Sequence, residues 1–153
     1  MEIKFKDILK GRTVIVGVGN ILRGDDAFGP LLIGKLTGKV KAVCLDAGSA
    51  PENYIGRIAR ENPNTVLLVD AVHLGLSAGE YKILSSADIE KIGLTTHDIS
   101  LAMLIDYLKE KTGADIYILG VQPDNVLFKE GLSAKLAETL EQINTLITET
   151  LNA

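Results

Sequence analysis

The feature that most constrains this chain is a set of short β-rich runs that stay apolar at successive positions instead of alternate ones. "TVIVGV" (13–18), "KAVCLD" (41–46), "TVLLVDAV" (65–72) and "DIYILGV" (115–121) are the clearest. A strand with one wet face alternates apolar and polar residues, whereas a run without that alternation has to be covered on both faces. Helical patterns fill the gaps between the runs. "AFGPLLIGKL" (27–36) reads as a helix entered through Asp25 or Asp26, with Pro30 tolerated near its first turn. The segment 51–61 reads as a short helix weakened by Gly56, and 85–92 as another. The segment 97–111 reads as a longer helix with Ile99, Met103, Leu104 and Leu108 on one face. Residues 133–151 close the chain as an amphipathic helix, with Leu136, Leu140, Ile143 and Ile147 at helical spacing and Ser133 as N-cap.

Buried strands alternating with helices specify an α/β fold. We expect a three-layer sandwich in which a twisted, mostly parallel five-stranded sheet lies between helices, with right-handed crossovers. "GEYKILS" (79–85) is the more polar run and fits an antiparallel edge strand. There is no repeat, low-complexity stretch or linker, so residues 1–153 are expected to form a single domain.

Composition narrows the function classes. At 46% hydrophobic and 24% charged residues the chain is globular. No apolar run approaches the roughly 18 residues of a membrane span. The start, "MEIKFKDILKGR", has mixed charge and no signal-type apolar core. A cytoplasmic location without membrane insertion is therefore expected. The net charge of −4, with lysines and arginines scattered, excludes a nucleic-acid partner, which would require a basic stripe. The single cysteine, Cys44, lies inside an apolar run and reads as a small buried hydrophobe.

In open α/β sheets, sites form beyond the carboxyl ends of the strands. The first strand exits into "GNILRGDD", the second ends on Asp46, the third ends on Asp70, and the last exits into "QPDN". A single aspartate after a strand is an ordinary loop starter. Several converging on one sheet edge repel one another and are costly to desolvate, so the cluster calls for a cation, a bound proton or a wet cleft. "VGVGNILRGDDAFGP" (16–30) begins like a phosphate loop but fails as one. Leu22 stands at the third glycine of the dinucleotide pattern, and Asp25 and Asp26 would confront a phosphate with negative charge. Gly17, Gly19 and Gly24 instead allow a sharp turn that returns Asp26 over the sheet, leaving Asp25 as helix cap. His97, in "LTTHDISL", is the candidate third ligand: two carboxylates and an imidazole with open positions suit a borderline divalent ion such as nickel or zinc. His73 reads as a surface loop residue. A phospho-receiver or other small-ligand module is the competing class, but no lysine follows the last strand to pair a phosphate.

"VGVGNILRGDDAFGP", "LDAGSAPEN", "LLVDAVHLGLSAGE", "LTTHDISLAMLIDYL" and "ILGVQPD" resemble, in order and spacing, the hydrogenase maturation endopeptidases, and look most like the branch serving hydrogenase 3 of the formate-hydrogenlyase type. The likeness spans the chain from about Thr13 to the final helix. It implies an endopeptidase that removes the C-terminal extension of a [NiFe]-hydrogenase large-subunit precursor after nickel insertion. It also implies that Asp26, Asp70 and His97 contact the nickel, which the precursor carries, and that they are the catalytic residues; other divalent ions are expected to enter the same site. Asp46 matches a family aspartate of less settled role. Two positions depart from the common pattern: many members serving other hydrogenases have Glu where Asp26 stands, and Ala27 replaces a common glycine.

Overall fold

The computed structural model describes residues 2–93, 95–96 and 99–153. A five-stranded sheet runs through its centre in the order β2-β1-β3-β7-β4. Its members are β1 (Thr13–Gly17), β2 (Val43–Asp46), β3 (Thr65–Ala71), β4 (Tyr81–Ser85) and β7 (Asp115–Val121). The first four of that spatial order pair parallel, and β4 pairs antiparallel with β7 at the edge. The expected sheet, including the reversed polar edge strand, is thus the observed one. A small antiparallel pair, β5 (Thr95–Thr96) with β6 (Ile99–Ser100), was not legible in the sequence.

The lack of alternation in the strands is explained by the two layers that cover them. On one face α1 (Phe5–Ile8), α2 (Phe28–Leu36) and α6 (Ala134–Leu151) enclose Ile15, Leu67, Val69 and Leu119. On the other, α3 (Ile55–Arg60), α4 (Ser86–Ile92) and α5 (Leu101–Thr112) enclose Val14, Val16, Val66, Leu68 and Ile118. Consecutive strand residues feed opposite cores, which is the period of two that a pleated strand imposes. In α6 the residues expected to face inward, Leu136, Leu140, Ile143 and Ile147, are all buried. Among the described residues no helix is long and apolar enough to cross a membrane.

Several boundaries differ from expectation. The helix expected over 97–111 starts at Leu101, because the Ser100 hydroxyl accepts a hydrogen bond from the Met103 amide and so caps it. Its inner stripe is Leu101, Leu104, Ile105 and Leu108, and Met103 is exposed. Once the stripe is anchored on Leu101, a residue two positions on points to the far side of the helix. The helix expected from residue 27 begins one residue later, after a 3-10 turn over Gly24–Ala27. A second 3-10 turn, Pro51–Tyr54, forms the first half of the expected 51–61 helix.

Candidate active site

The strand order reverses at β1: the chain moves from β1 to β2 on one side and then to β3 on the other. Such a switch point leaves a crevice at the carboxyl ends of the two central strands. The residues leaving β1 and β3 there are the loop to Asp26 and Asp70 itself.

The first loop is shaped by close backbone approach. Helix α2 lies against the tips of both strands at Gly29, where a Cβ would come within 2.5 Å of the Val18 carbonyl oxygen and 2.6 Å of that of Val69. Behind it, a Cβ on Gly19 would collide with the Asp26 carbonyl oxygen. Only glycine permits these contacts. Between them the loop folds back on itself. The Arg23 amide donates to the Asn20 carbonyl at 3.1 Å, and the Asn20 amide donates to Asp26 Oδ2 at 2.8 Å. The turn carrying Asp26 packs against β3. Asp26 is 9% exposed and Asp70 2%. Strand alternation puts Asp70 on the face of Val66 and Leu68, the side covered by α5. Burial of each carboxylate costs several kcal/mol unless hydrogen bonds or a cation offset it.

Asp25 has a different role from the expected one. Neither the 3-10 turn nor α2 has a side-chain cap. The Asp25 carboxylate, wholly buried, instead reaches across the molecule. Its Oδ2 accepts from the amides of Asp124 (2.8 Å) and Asn125 (3.0 Å) and from the Ser133 hydroxyl (2.9 Å), while Oδ1 accepts from the Ser133 amide at 2.7 Å. Ser133 is the N-cap residue of α6 as expected, but its hydroxyl is committed to Asp25 and does not cap the helix itself. Sequence offers no signal for a contact spanning 108 residues.

The remaining strand-exit residues separate from the pair. Asp46 is exposed, and its Oδ1 accepts from the Gly48 amide at 2.9 Å, so it acts as a turn starter at the end of β2. His73 is exposed in the loop after β3, as expected, and its Nδ1 lies 3.2 Å from Gln122 Nε2. Gln122, directly after β7, is a residue the sequence reading passed over. Its Oε1 accepts from the amides of Leu74 (2.7 Å) and Leu76 (3.4 Å), tying the β3 exit to the β7 exit. The rule that picked out Asp70, a polar residue at the carboxyl end of an apolar strand, would have picked it out too. His97 lies outside the described residues. Among those described, no three His, Cys, Asp or Glu side chains come together to hold a metal. Cys44 is half-buried, and burial pushes its thiol pKa up, away from a thiolate nucleophile.

The described part of the site thus offers two buried carboxylates on adjacent strand exits, able to accept a proton from water or to meet a divalent cation through oxygen. Known proteins resemble this chain in sequence and fold. The family model described as "HycI: Hydrogenase maturation protease" matches residues 32–150. The hydrogenase 3 maturation protease of Escherichia coli (strain K12) is 41% identical over 133 residues, 85% of each chain. The crystal structure of a [NiFe] hydrogenase maturation protease HycI from Thermococcus kodakarensis KOD1 is 37% identical and superposes with a TM-score of 0.88 over 97% of this chain and 98% of that one. The crystal structure of a hydrogenase 3 maturation protease is 36% identical, with a TM-score of 0.81 over 93% of this chain and 90% of the other.

Proposed function

This chain belongs to the hydrogenase maturation protease family, and from that premise we propose how its carboxylates work. The protein is an endopeptidase that removes the C-terminal extension of a [NiFe]-hydrogenase large-subunit precursor after nickel has been inserted. The observation that carries the mechanism is the burial of Asp26 and Asp70 at the exits of the two central strands, β1 and β3.

Two buried carboxylates on one sheet edge repel one another, and a divalent cation bound between them would stabilise their charge beyond what their hydrogen bonds supply. The nickel arrives as part of the substrate. Oxygen ligands from Asp26 and Asp70, with the imidazole of His97, form a donor set suited to a borderline divalent ion. Recognition then favours a loaded precursor, whose cation is attracted to the two carboxylates. Hydrolysis needs a water oxygen delivered to the scissile carbonyl and a proton carried to the leaving amine. A carboxylate in reach of that water serves as general base and returns the proton to the amine. Burial excludes competing solvent and strengthens each of these interactions.

A phosphate-accepting module has no support: Gln122 and Pro123, not a lysine, follow β7, and the nearby carboxylates repel an anion. We place the reaction in the cytoplasm, a reducing compartment in keeping with the lone unpaired Cys44. The deciding experiment is a cleavage assay on nickel-loaded large-subunit precursor, read by mass spectrometry. Wild type should release the extension, and Asp26→Asn, Asp70→Asn and His97→Ala should leave it attached while keeping the wild-type circular dichroism. Full cleavage by these variants overturns the assignment.

A further inference from the structure

Four large apolar side chains left in solvent sit on two loops at this end of the sheet. Ile21 and Leu22 belong to the loop from β1 to Asp26, and Leu127 and Phe128 to the loop from β7 to α6. Leu127 is 70% exposed and Phe128 80%. Such exposure needs a reason, because a mobile loop would fold apolar side chains of this size inward.

The backbone prevents that. The Gly24 amide donates to the Lys129 carbonyl at 2.8 Å, the Asp25 amide to the Asn125 carbonyl at 2.7 Å, and Arg23 Nε to the Val126 carbonyl at 3.3 Å. Arg23 and Lys129 form a parallel bridge, which sets Leu22 and Phe128 in register, each one residue before it. Asn125 Oδ1 accepts from the Leu127 amide at 2.7 Å and fixes the turn that presents Leu127 and Phe128. The four bonds to Asp25 anchor both ends of the second loop, at Asp124–Asn125 and at Ser133, to the residue next to Asp26. The apolar residues are therefore held out on a rigid frame, which lowers the entropy cost of binding through them.

We propose that Ile21, Leu22, Leu127 and Phe128 form a docking surface for an apolar segment of the precursor polypeptide, and that Asp25 is the positioning residue that locks this surface to Asp26. The inference rests on the endopeptidase reading above. Continuity with the site selects the occupant. Leu22 lies four residues before Asp26 in the same folded-back loop, so a polypeptide reaching Asp26 crosses this surface. A second copy of this chain seated there would cover the site it needs open.

The test is steady-state cleavage of nickel-loaded precursor by the wild type, by the double variant Leu127→Ser/Phe128→Ser, and by Leu146→Ser, another solvent-facing apolar residue, on α6 and 41% exposed. The double variant should raise KM about tenfold or more and leave kcat within about twofold, since it removes binding shared by ground and transition states. Leu146→Ser should match wild type. Asp25→Asn should raise KM in the same direction at temperatures where its circular dichroism still equals that of wild type, which a role in stability alone would not do. An unchanged KM in the double variant, with wild type cleaving, overturns the docking surface and leaves the endopeptidase reading standing. A wild-type dimer that the double variant dissociates, again at unchanged KM, overturns it in favour of self-association. A wild type that leaves every loaded precursor intact overturns the endopeptidase reading, and the docking surface falls with it.

Discussion

The two ends of the central sheet bury polar groups in opposite ways. At the amino ends of the parallel strands the buried polar residues are neutral and paired. Thr65 Oγ1 donates to the Lys10 carbonyl at 2.8 Å, and Thr13 Oγ1 donates to the Gly11 carbonyl at 3.3 Å. The carboxylates at that end stay near water. Glu61 pairs with the Arg12 guanidinium at 3.2 Å, and Asp88 serves the capping box of α4 with Ser85. At the carboxyl ends three aspartates, Asp25, Asp26 and Asp70, are buried. Neutral hydrogen bonds suffice to close the first edge, whereas the second carries buried charge. The difference separates an end closed by neutral hydrogen bonds from an end that buries carboxylates, and Asp25 shows that part of this buried charge is structural.

The comparison can be broken most forcefully at Asp25. Asp25→Ala removes the acceptor of four hydrogen bonds and should cost on the order of 3–5 kcal/mol, measured by urea denaturation. Asp26→Asn and Asp70→Asn should cost far less stability, or even add some, while abolishing cleavage. Equal destabilisation by all three would erase the distinction between structural and functional carboxylates. Next in size is Gly29→Ala, which drives a methyl into the Val18 and Val69 carbonyls. A loss of about 2 kcal/mol, with reduced cleavage as α2 lifts from the strand tips, is the expected outcome. At the opposite end, Thr65→Val should cost about 1 kcal/mol for its lost hydrogen bonds and leave kcat and KM unchanged.

The smallest effect is at Asp88. Its carboxyl is held below the usual carboxylate range, first by the Ser85 amide and then by the Ser85 hydroxyl. A group whose folded pKa is lowered stabilises above its unfolded pKa and loses that contribution as pH falls through the folded value. Asp88→Ala should therefore lower stability slightly at neutral pH, with the difference from wild type shrinking in acid, as followed by thermal denaturation across pH. A difference that persists in acid would show that the cap does not work through charge.

Much of this molecule was legible before any coordinates. Unalternated strands required two covering layers, and α6 announced its inner face through Leu136, Leu140, Ile143 and Ile147. The polar run 79–85 marked the antiparallel edge. The strand-exit rule selected Asp26 and Asp70, and both lie at the switch point. The rule also selected Asp46, which proved to be a turn starter, because an aspartate serving its own loop and one facing a site look alike in sequence. Met103 was assigned to the wrong face because the helix phase depends on where Ser100 caps it.

The sequence by itself therefore determined the layers, the strand directions and the set of candidate carboxylates, because these follow from local periodicity and from which residues end each strand. The tertiary structure alone decided what neighbouring aspartates do. Asp25 and Asp26 are adjacent and chemically identical, yet one ties Ser133 and the β7 exit to the loop while the other turns back to Asn20. That division depends on which distant backbone amides the fold brings within about 3 Å, and hydrogen bonding at that range leaves no trace in the order of the residues.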